Sequence, residues 1–310
     1  ADRAVMARPL RPRLPFGMRP LLAALLLPAA LGAQTLAPRP VQADRTGSFQ
    51  DPDLTESSGV IRSRILPRVL FTINDSGNAP QVFAFDSSGR PLGSWRVPGV
   101  TNRDWEALSI GPCPGGSCLF IGDTGDNDER RARVVLYRLR EPARFERFRG
   151  AADPAPLGLD SAVVRYPDGP HDVEAMWVEA DGSVALVSKG RSGGVRLFRV
   201  PASGFGAAGG VDAQLLQVLP IAPDQSLGRW VTDAARAPDG RRVAIRTYTE
   251  LYLFPQLPAG RLGTPVICNV AGLERQGEGV EWLDDRRLLL TSEAGPRGAP
   301  GPIHIVRCDG

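Results

Sequence analysis

From Glu56 onward the apolar residues fall in short runs of four to seven, alternating or continuous, broken by Gly, Pro, Asp and Asn. This is the pattern of strands and turns, and no stretch keeps the 3.6-residue period of an amphipathic helix. The 35 Gly and 29 Pro leave little room for long helices. The runs also recur in a fixed order. ESSGVI leads to VLFTI, the loop NDSGN and QVFAFD; DWEALSI leads to CLFIG, DTGDN and RVVLYRL. The third unit reads DVEAMWV, SVALVS, KGRSGG, VRLFRV, and the fourth reads VTDAARA, RVAIR, TYT, ELYLF. The fifth reads GEGVEWL, RLLLTS, EAGPRGAP, PIHIVR. Between them PLGSWRV, SAVVRY, AQLLQVL and PVICNV supply fourth strands.

Repeats of about 40–50 residues built from four strands predict an all-β chain folded as a β-propeller. The units open at Glu56, Glu106, Glu174, Thr232 and Glu278, which are 50, 68, 58 and 46 residues apart. Five four-stranded blades are therefore expected, with six as the alternative if two units have been merged. The fifth unit has only three strands, so an N-terminal strand within Pro40–Ser48 is expected to close it and remove an open sheet edge. The chain divides into residues 1–33, a closing strand and linker over 34–55, and the propeller over 56–310.

Residues 1–33 change how composition is read. Arg8, Arg11, Arg13 and Arg19 precede an apolar run from Leu21 to Leu31, which has the length of a signal-peptide core and is too short for a membrane helix. Cleavage is expected near Gly32–Ala33, with export to the periplasm or medium. Five of the 37 basic and one of the 34 acidic residues lie in this segment, which leaves 32 basic and 33 acidic residues beyond it. A nearly neutral remainder has no electrostatic footprint for nucleic acid or an acidic membrane surface. No later segment is long and apolar enough to span a membrane, and a monomer is expected. Cys113, Cys118, Cys268 and Cys308 suit an oxidising compartment. Four cysteines allow three pairings. Cys113–Cys118 fits the tip of a hairpin, with Cys268–Cys308 as the other pair. Zinc is the weaker reading, since only His171 and His304 are available beside a C-x4-C spacing.

In a propeller the loop leading into the innermost strand and the loop joining the second and third strands emerge on one face. Here both classes carry the polar residues: Glu56, Asp104, Glu106, Asp172, Glu174, Asp233 and Glu278 in the first, and Asn74, Asp75, Asp123, Asp126, Asn127, Lys189, Arg246 and Glu293 in the second. An acidic axial mouth is expected. Crowded carboxylates call for a positive partner, and oxygen donors from several loops suit Ca²⁺. Asp75, Asp104, Glu106, Asp123, Asp126, Asn127, Glu174 and Glu278 are the candidate ligands. The stretch GDTGDND does not have EF-hand spacing, and Asp and Asn beside Gly are ordinary turn formers, so each loop alone also reads as a turn. Lys189 is the chain's only lysine; a compact, deprotonatable ammonium suits catalysis, and a single occurrence also fits chance. Arg246 is read as its counterpart in the fourth unit. His171 is a candidate base, although a lone His in a polar loop is more often solvated. Glu293 is a second candidate for moving protons. Gly190-Arg191-Ser192-Gly193-Gly194 matches G-x-S-x-G without the helix a nucleophile elbow needs, and Gly204–Gly209 matches G-x-G-x-x-G without the strand-to-helix context. Trp105, Trp177 and Trp282 are expected in the core between blades.

The series ESSG, NDSG, DWE, GDTGDN, Arg140-Glu141-Pro142, VTDA, RTY and TSE, over Glu56–Cys308, resembles a group of exported bacterial propeller proteins with no assigned activity. More distantly, the E-A and E-G openings are similar to those of SdiA-regulated propellers, esterase-like phytases and the gluconolactonase/regucalcin group. In the last, carboxylates and asparagines at the mouth hold a catalytic divalent cation. That resemblance implies matching openings at Glu106, Glu174 and Glu278 and ligand loops at Asp123 or Asn127, with Thr232-Asp233 departing from the pattern. Two functions follow as expectations. One is a propeller that binds a small molecule or a protein partner at a Ca²⁺-capable mouth. The other is a Ca²⁺-dependent hydrolase of esters, lactones or phosphoesters, with Lys189 and Arg246 holding an anionic group and His171 or Glu293 moving protons.

Overall fold

The computed structural model describes residues 37–143 and 158–308. The expected leader and its cleavage point lie outside the described residues. The described chain is all-β apart from three single-turn 3-10 segments, and its strands form five sheets. Each sheet is one blade of four antiparallel strands, two of them with an added parallel edge. The count is five, not six.

The four strands of blade 1, from the axis outward, are Ser57–Arg62, Leu70–Asn74, Gln81–Phe85 and Pro91–Arg96. Blade 2 has Trp105–Cys113, Gly116–Asp123, Val134–Arg140 and Asp160–Arg165. Blade 3 has Val173–Val178, Val184–Ser188, Arg196–Val200 and Gln214–Val218. Blade 4 has Val231–Arg236, Arg242–Thr247, Glu250–Pro255 and Val266–Asn269. Blade 5 has Gly277–Trp282, Arg287–Ser292 and Pro302–Arg307. Its fourth strand is Gln42–Ser48 from the chain's start, antiparallel to Pro302–Arg307. Just before it, Arg39–Pro40 runs parallel to Val266–Asn269 of blade 4. The start of the described chain therefore grips blades 4 and 5 in succession.

The inner strands of blades 3 and 5 are buried at every position. Successive side chains point to opposite faces of a strand, so each inner strand feeds the cores on both of its sides. The result is five apolar clusters, one between each pair of adjacent blades. Trp105, Trp177 and Trp282 sit in three of them, essentially inaccessible to solvent. The smallest cluster lies where blade 5 meets blade 1, and Phe49 and Leu54 from the linker fill it out.

The cysteines pair as the hairpin reading expects. Cys113–Cys118 closes the turn between the first two strands of blade 2, with 5.8 Å between Cα atoms. Cys268–Cys308 ties the outer strand of blade 4 to the chain's end, with 6.0 Å between Cα atoms. No helix among the described residues is long and apolar enough to cross a membrane.

Candidate functional site

Every inner strand opens with the same irregularity. Its pairing with the second strand slips by one residue near its start: between Ser58 and Val60, Trp105 and Ala107, Val173 and Ala175, Val231 and Asp233, and Gly277 and Gly279. A β-bulge leaves one residue unpaired and re-aims its side chain. In blades 2, 3 and 5 the unpaired residue is Glu106, Glu174 or Glu278. In blade 4 it is Thr232, and in blade 1 it is Gly59, although register through the last residue of the second strand puts Ser58 at the place of Glu106. The first residues after the second strands form a further ring: Asp75, Thr124, Lys189, Tyr248 and Glu293. This register corrects two readings of the sequence. Ser58, not Glu56, is the counterpart of Glu106. Tyr248, not Arg246, is the counterpart of Lys189.

The two rings make one electrostatic unit. Lys189 Nζ lies 2.8 Å from Glu174 Oε1, with both side chains buried. The Tyr248 hydroxyl donates to the Glu278 carboxylate. Ser58 Oγ donates to Glu106 Oε2 at 3.1 Å, and Gln276 Nε2 donates to Glu293 Oε2 at 2.8 Å. Each of these four carboxylates thus has one protein donor, and only one of the four donors is a cation. Burial, followed by the charges of Glu174 and Asp75, pushes Glu106 well above the usual carboxylate range. Burial and then Asp75 raise Asp104 to about 6. Burial and then Glu278 raise Glu293 to about 8. Glu278 is also raised by burial, although Lys189 and Arg246 oppose this. Burial alone would lower the Lys189 ammonium, but Glu174, Tyr248 and Glu106 more than reverse that, so it stays charged.

Among the described residues one group has the spacing of a metal site: Asp75, Asp104 and Glu106, with one oxygen from each within 4.8 Å of the others. Three loops converge to build it. Asn102 holds two of them, its Nδ2 donating to the carbonyls of Asn74 and Asp75 while its Oδ1 accepts the Trp105 N–H. Gly125 lets the third approach, since a Cβ there would lie 2.5 Å from Asp104 Cγ and 2.7 Å from Glu106 Cγ. The donors are all hard carboxylate oxygens, and Ca²⁺ takes six to eight oxygens in flexible geometry. Three acidic ligands fit such an ion, with its remaining positions left to water or a bound molecule.

Asp123, Asp126, Asn127 and Thr124 of IGDTGDNDERR each have protein partners. Asp123 Oδ1 is ion-paired with Arg131 at 2.7 Å, and its Oδ2 accepts the Arg103 N–H. Asp126 accepts the Arg131 N–H and donates its own N–H to Asp172 at 2.8 Å. Asn127 Oδ1 accepts from Arg191, which also pairs with Asp172. Thr124 exchanges hydrogen bonds with the backbone of Val173, docking the loop on blade 3. The loop is a cross-braced turn that lends the three-carboxylate group a glycine backbone.

His171 joins none of the mouth carboxylates, and its Nδ1 lies 3.8 Å from Glu129 Oε1. Its Nε2 bonds Asp168 Oδ1 at 2.9 Å, and its ring packs against Tyr166 and Phe198. Arg246 is 1% exposed, and its guanidinium crosses to blade 5. There it donates to the carbonyls of Gly279 and Thr291 at 2.6 and 3.0 Å and pairs with Glu274. Only a glycine at 277 allows this, because a Cβ would meet Arg246 Nη2 at 1.5 Å. His304 Nδ1 adds a 2.8 Å contact to Glu274. Despite burial, Arg246 and His304 hold Glu274 below the ordinary carboxylate range. Ser58, Tyr248 and Trp230, whose ring centroid lies 6.0 Å from Lys189 Nζ, belong to the mouth but have no acidic signature in the sequence. Strand register reveals the first two.

No protein-family model matches the chain, and no curated protein sequence matches it. Solved structures do match its fold. The PQQ-bound aldose sugar dehydrogenase from Streptomyces coelicolor is 13% identical, with a TM-score of 0.52 over 87% of this chain and 99% of that one. A gluconolactonase from Xanthomonas campestris is 12% identical, with a TM-score of 0.45 over 86% and 89%. Virginiamycin B lyase from Staphylococcus aureus is 10% identical, with a TM-score of 0.41 over 87% and 75%. These are β-propeller proteins, and at such identities the likeness extends to the fold alone.

Proposed function

We propose that the protein is an exported propeller that binds a divalent cation, Ca²⁺ by donor type, at Asp75, Asp104 and Glu106, and holds an oxygen-bearing small molecule over it. The carrying observation is a charge imbalance. Three carboxylates converge within 4.8 Å, while the mouth's lysine is committed to Glu174. An ion there would relieve the repulsion that raises Glu106 and Asp104, and would leave coordination positions open to a ligand. Thr124 and Asn102 hold the loops; Lys189 and Tyr248, bound to Glu174 and Glu278, line the rest of the mouth.

One observation favours a hydrolytic second reading. Glu293 is raised to about 8 beside Glu278 and Lys189, a range suited to exchanging protons near neutrality. A bound divalent cation would polarise a carbonyl or phosphoryl oxygen. Glu293 would then take a proton from water or return one to a leaving group, and Lys189 would steady the developing negative charge. His171 and Arg246 have no part in this reading.

Thermal melting with EDTA and then with Ca²⁺, Mg²⁺ or Zn²⁺ tests the proposal. A cation that binds only the folded chain stabilises it by about 2.7 kcal/mol at a hundredfold excess over Kd. An upward shift with Ca²⁺ that is lost in Glu106→Gln supports the site, and no shift with any of the three ions rejects it. An ester and phosphoester screen in which Glu293→Gln removes turnover but keeps the Ca²⁺ shift would favour the hydrolase.

A further inference from the structure

The opposite end of the axis carries the reverse charge. The five inner strands finish there, around a cavity of 870 Å³. Arg62, Arg64, Arg68 and Arg236 line it, with Glu179 and Glu281 as its carboxylates. Asp233 of blade 4 accepts the Val280 N–H of blade 5 at 2.8 Å and the Val60 N–H of blade 1 at 3.4 Å. Blades 4 and 1 are not neighbours, so this bond crosses the axis between the mouth and the cavity.

The cations at this end are not all spent. Arg236 pairs with Glu179 at 3.2 Å. Glu281 accepts the Arg62 N–H at 3.0 Å, while Arg62 Nη1 donates to the Leu283 carbonyl at 2.6 Å. Glu281 is pushed up to about 7 by burial, which weakens it as a counter-ion near neutrality. Arg64 and Arg68 make no ion pair or side-chain hydrogen bond among the described residues. Arg64 is lowered by burial and by Arg236, with Glu281 and Glu141 opposing. Arg68 holds a left-handed backbone conformation, φ 63°, which is costly for a residue with a side chain. Arg64 and Arg68 line the cavity as exposed residues, and guanidinium groups recognise planar or tetrahedral oxyanions through paired N–H donors.

We propose that this cavity is an anion site, independent of the metal-binding mouth, that takes a small organic molecule bearing a doubly charged oxyanion through Arg62, Arg64 and Arg68. The chemistry is shared by phosphate monoesters and dicarboxylates. Ser63 and Ser109 at its wall offer hydroxyls for the rest of such a guest.

Titration calorimetry with inorganic phosphate and, separately, succinate tests this. The double variant Arg64→Ala/Arg68→Gly removes two guanidiniums that hold no structural bonds and puts glycine where φ is positive, so it keeps its fold. The expected result is saturable 1:1 binding of at least one anion, weakened about tenfold or more in the double variant. Arg130→Ala, an exposed arginine paired only with Asp128 at 3.6 Å, should leave the affinity within about twofold, as expected of a surface substitution away from the site. Phosphate alone assigns a phosphoryl guest, succinate alone a dicarboxylate, and both the shared dianion. No saturable binding of either, or equal binding by the double variant, overturns the proposal.

Discussion

The Lys189 ammonium is committed to Glu174, 2.8 Å away and buried with it. That single pair sets the charge of the whole mouth, because it leaves Asp75, Asp104 and Glu106 to repel one another. Breaking a buried pair by removing one partner costs roughly 3–5 kcal/mol. Lys189→Met should lower stability by about that amount in EDTA, as measured by denaturant unfolding. It should also recover more of the loss on adding Ca²⁺ than wild type gains, since the variant mouth is more negative. Equal Ca²⁺ increments in the two proteins would separate Lys189 from the ion.

The raised carboxylates give a pH signature. A carboxylate whose pKa is higher in the folded state binds more protons folded than unfolded between those two values, so stability falls as pH rises through that window. With Asp104 at about 6 and Glu293 at about 8, against ordinary values near 4, metal-free protein should lose stability from about pH 4 to pH 8. Ca²⁺ competes with those protons, so its melting-temperature increment should grow over the same range. An increment that is flat between pH 5 and pH 8 would contradict a site built on Asp104.

Asp233 predicts a purely structural loss. Its carboxylate accepts the backbone N–H groups of Val60, Ala234 and Val280, which lie in the inner strands. Each buried donor left without a partner costs about 1–3 kcal/mol. Asp233→Ala leaves three such donors and should therefore destabilise by at least about 3 kcal/mol on that per-donor scale in urea unfolding, while the affinity for Ca²⁺ stays within a few-fold.

Arg246 predicts the same dissociation for another reason. Its guanidinium, Glu274 and His304 form a buried triad at the boundary of blades 4 and 5. Arg246→Met leaves Glu274 with only His304 and should cost about 3–5 kcal/mol. Unchanged stability together with lost turnover or ligand binding would instead make Arg246 a site residue.

The second disulfide closes a 40-residue span, and the chain-entropy relation gives roughly 4 kcal/mol for a loop of that length. Cys268→Ser/Cys308→Ser should lose most of that, and limited proteolysis should then cut first near blade 5, where the closing strand docks.

Much of this was legible before any coordinates. The period-2 runs and their fixed order give five blades because a strand buried on both faces must be apolar at nearly every position. The unpaired third strand of the fifth unit calls for a partner, and Gln42–Ser48 supplies it. The face shared by Asp75, Asp104 and Glu106 follows from strand polarity alone. Register was not legible. Glu56 resembles Glu106 as an acid opening a strand, yet pairing with the last residues of the second strand puts Ser58 at that place, with Gly59 the unpaired residue, and register is set by strand pairing. Arg246 sits two residues before Tyr248, enough to carry it from the mouth to the boundary between blades. Nor were the partners of Asp123 and Asn127 legible in the sequence: Arg131 lies eight residues and Arg191 64 residues along the chain from the side chain it meets.

Calorimetric titration of metal-free protein with Ca²⁺, for wild type and Glu106→Gln, is the most direct test of the mouth. The expected result is one ion per chain with proton release at pH 7, and at least about tenfold weaker binding in the variant, a loss of ~1.4 kcal/mol. Absence of saturable binding in wild type, or an unchanged isotherm in Glu106→Gln, would contradict a metal site at Asp75, Asp104 and Glu106.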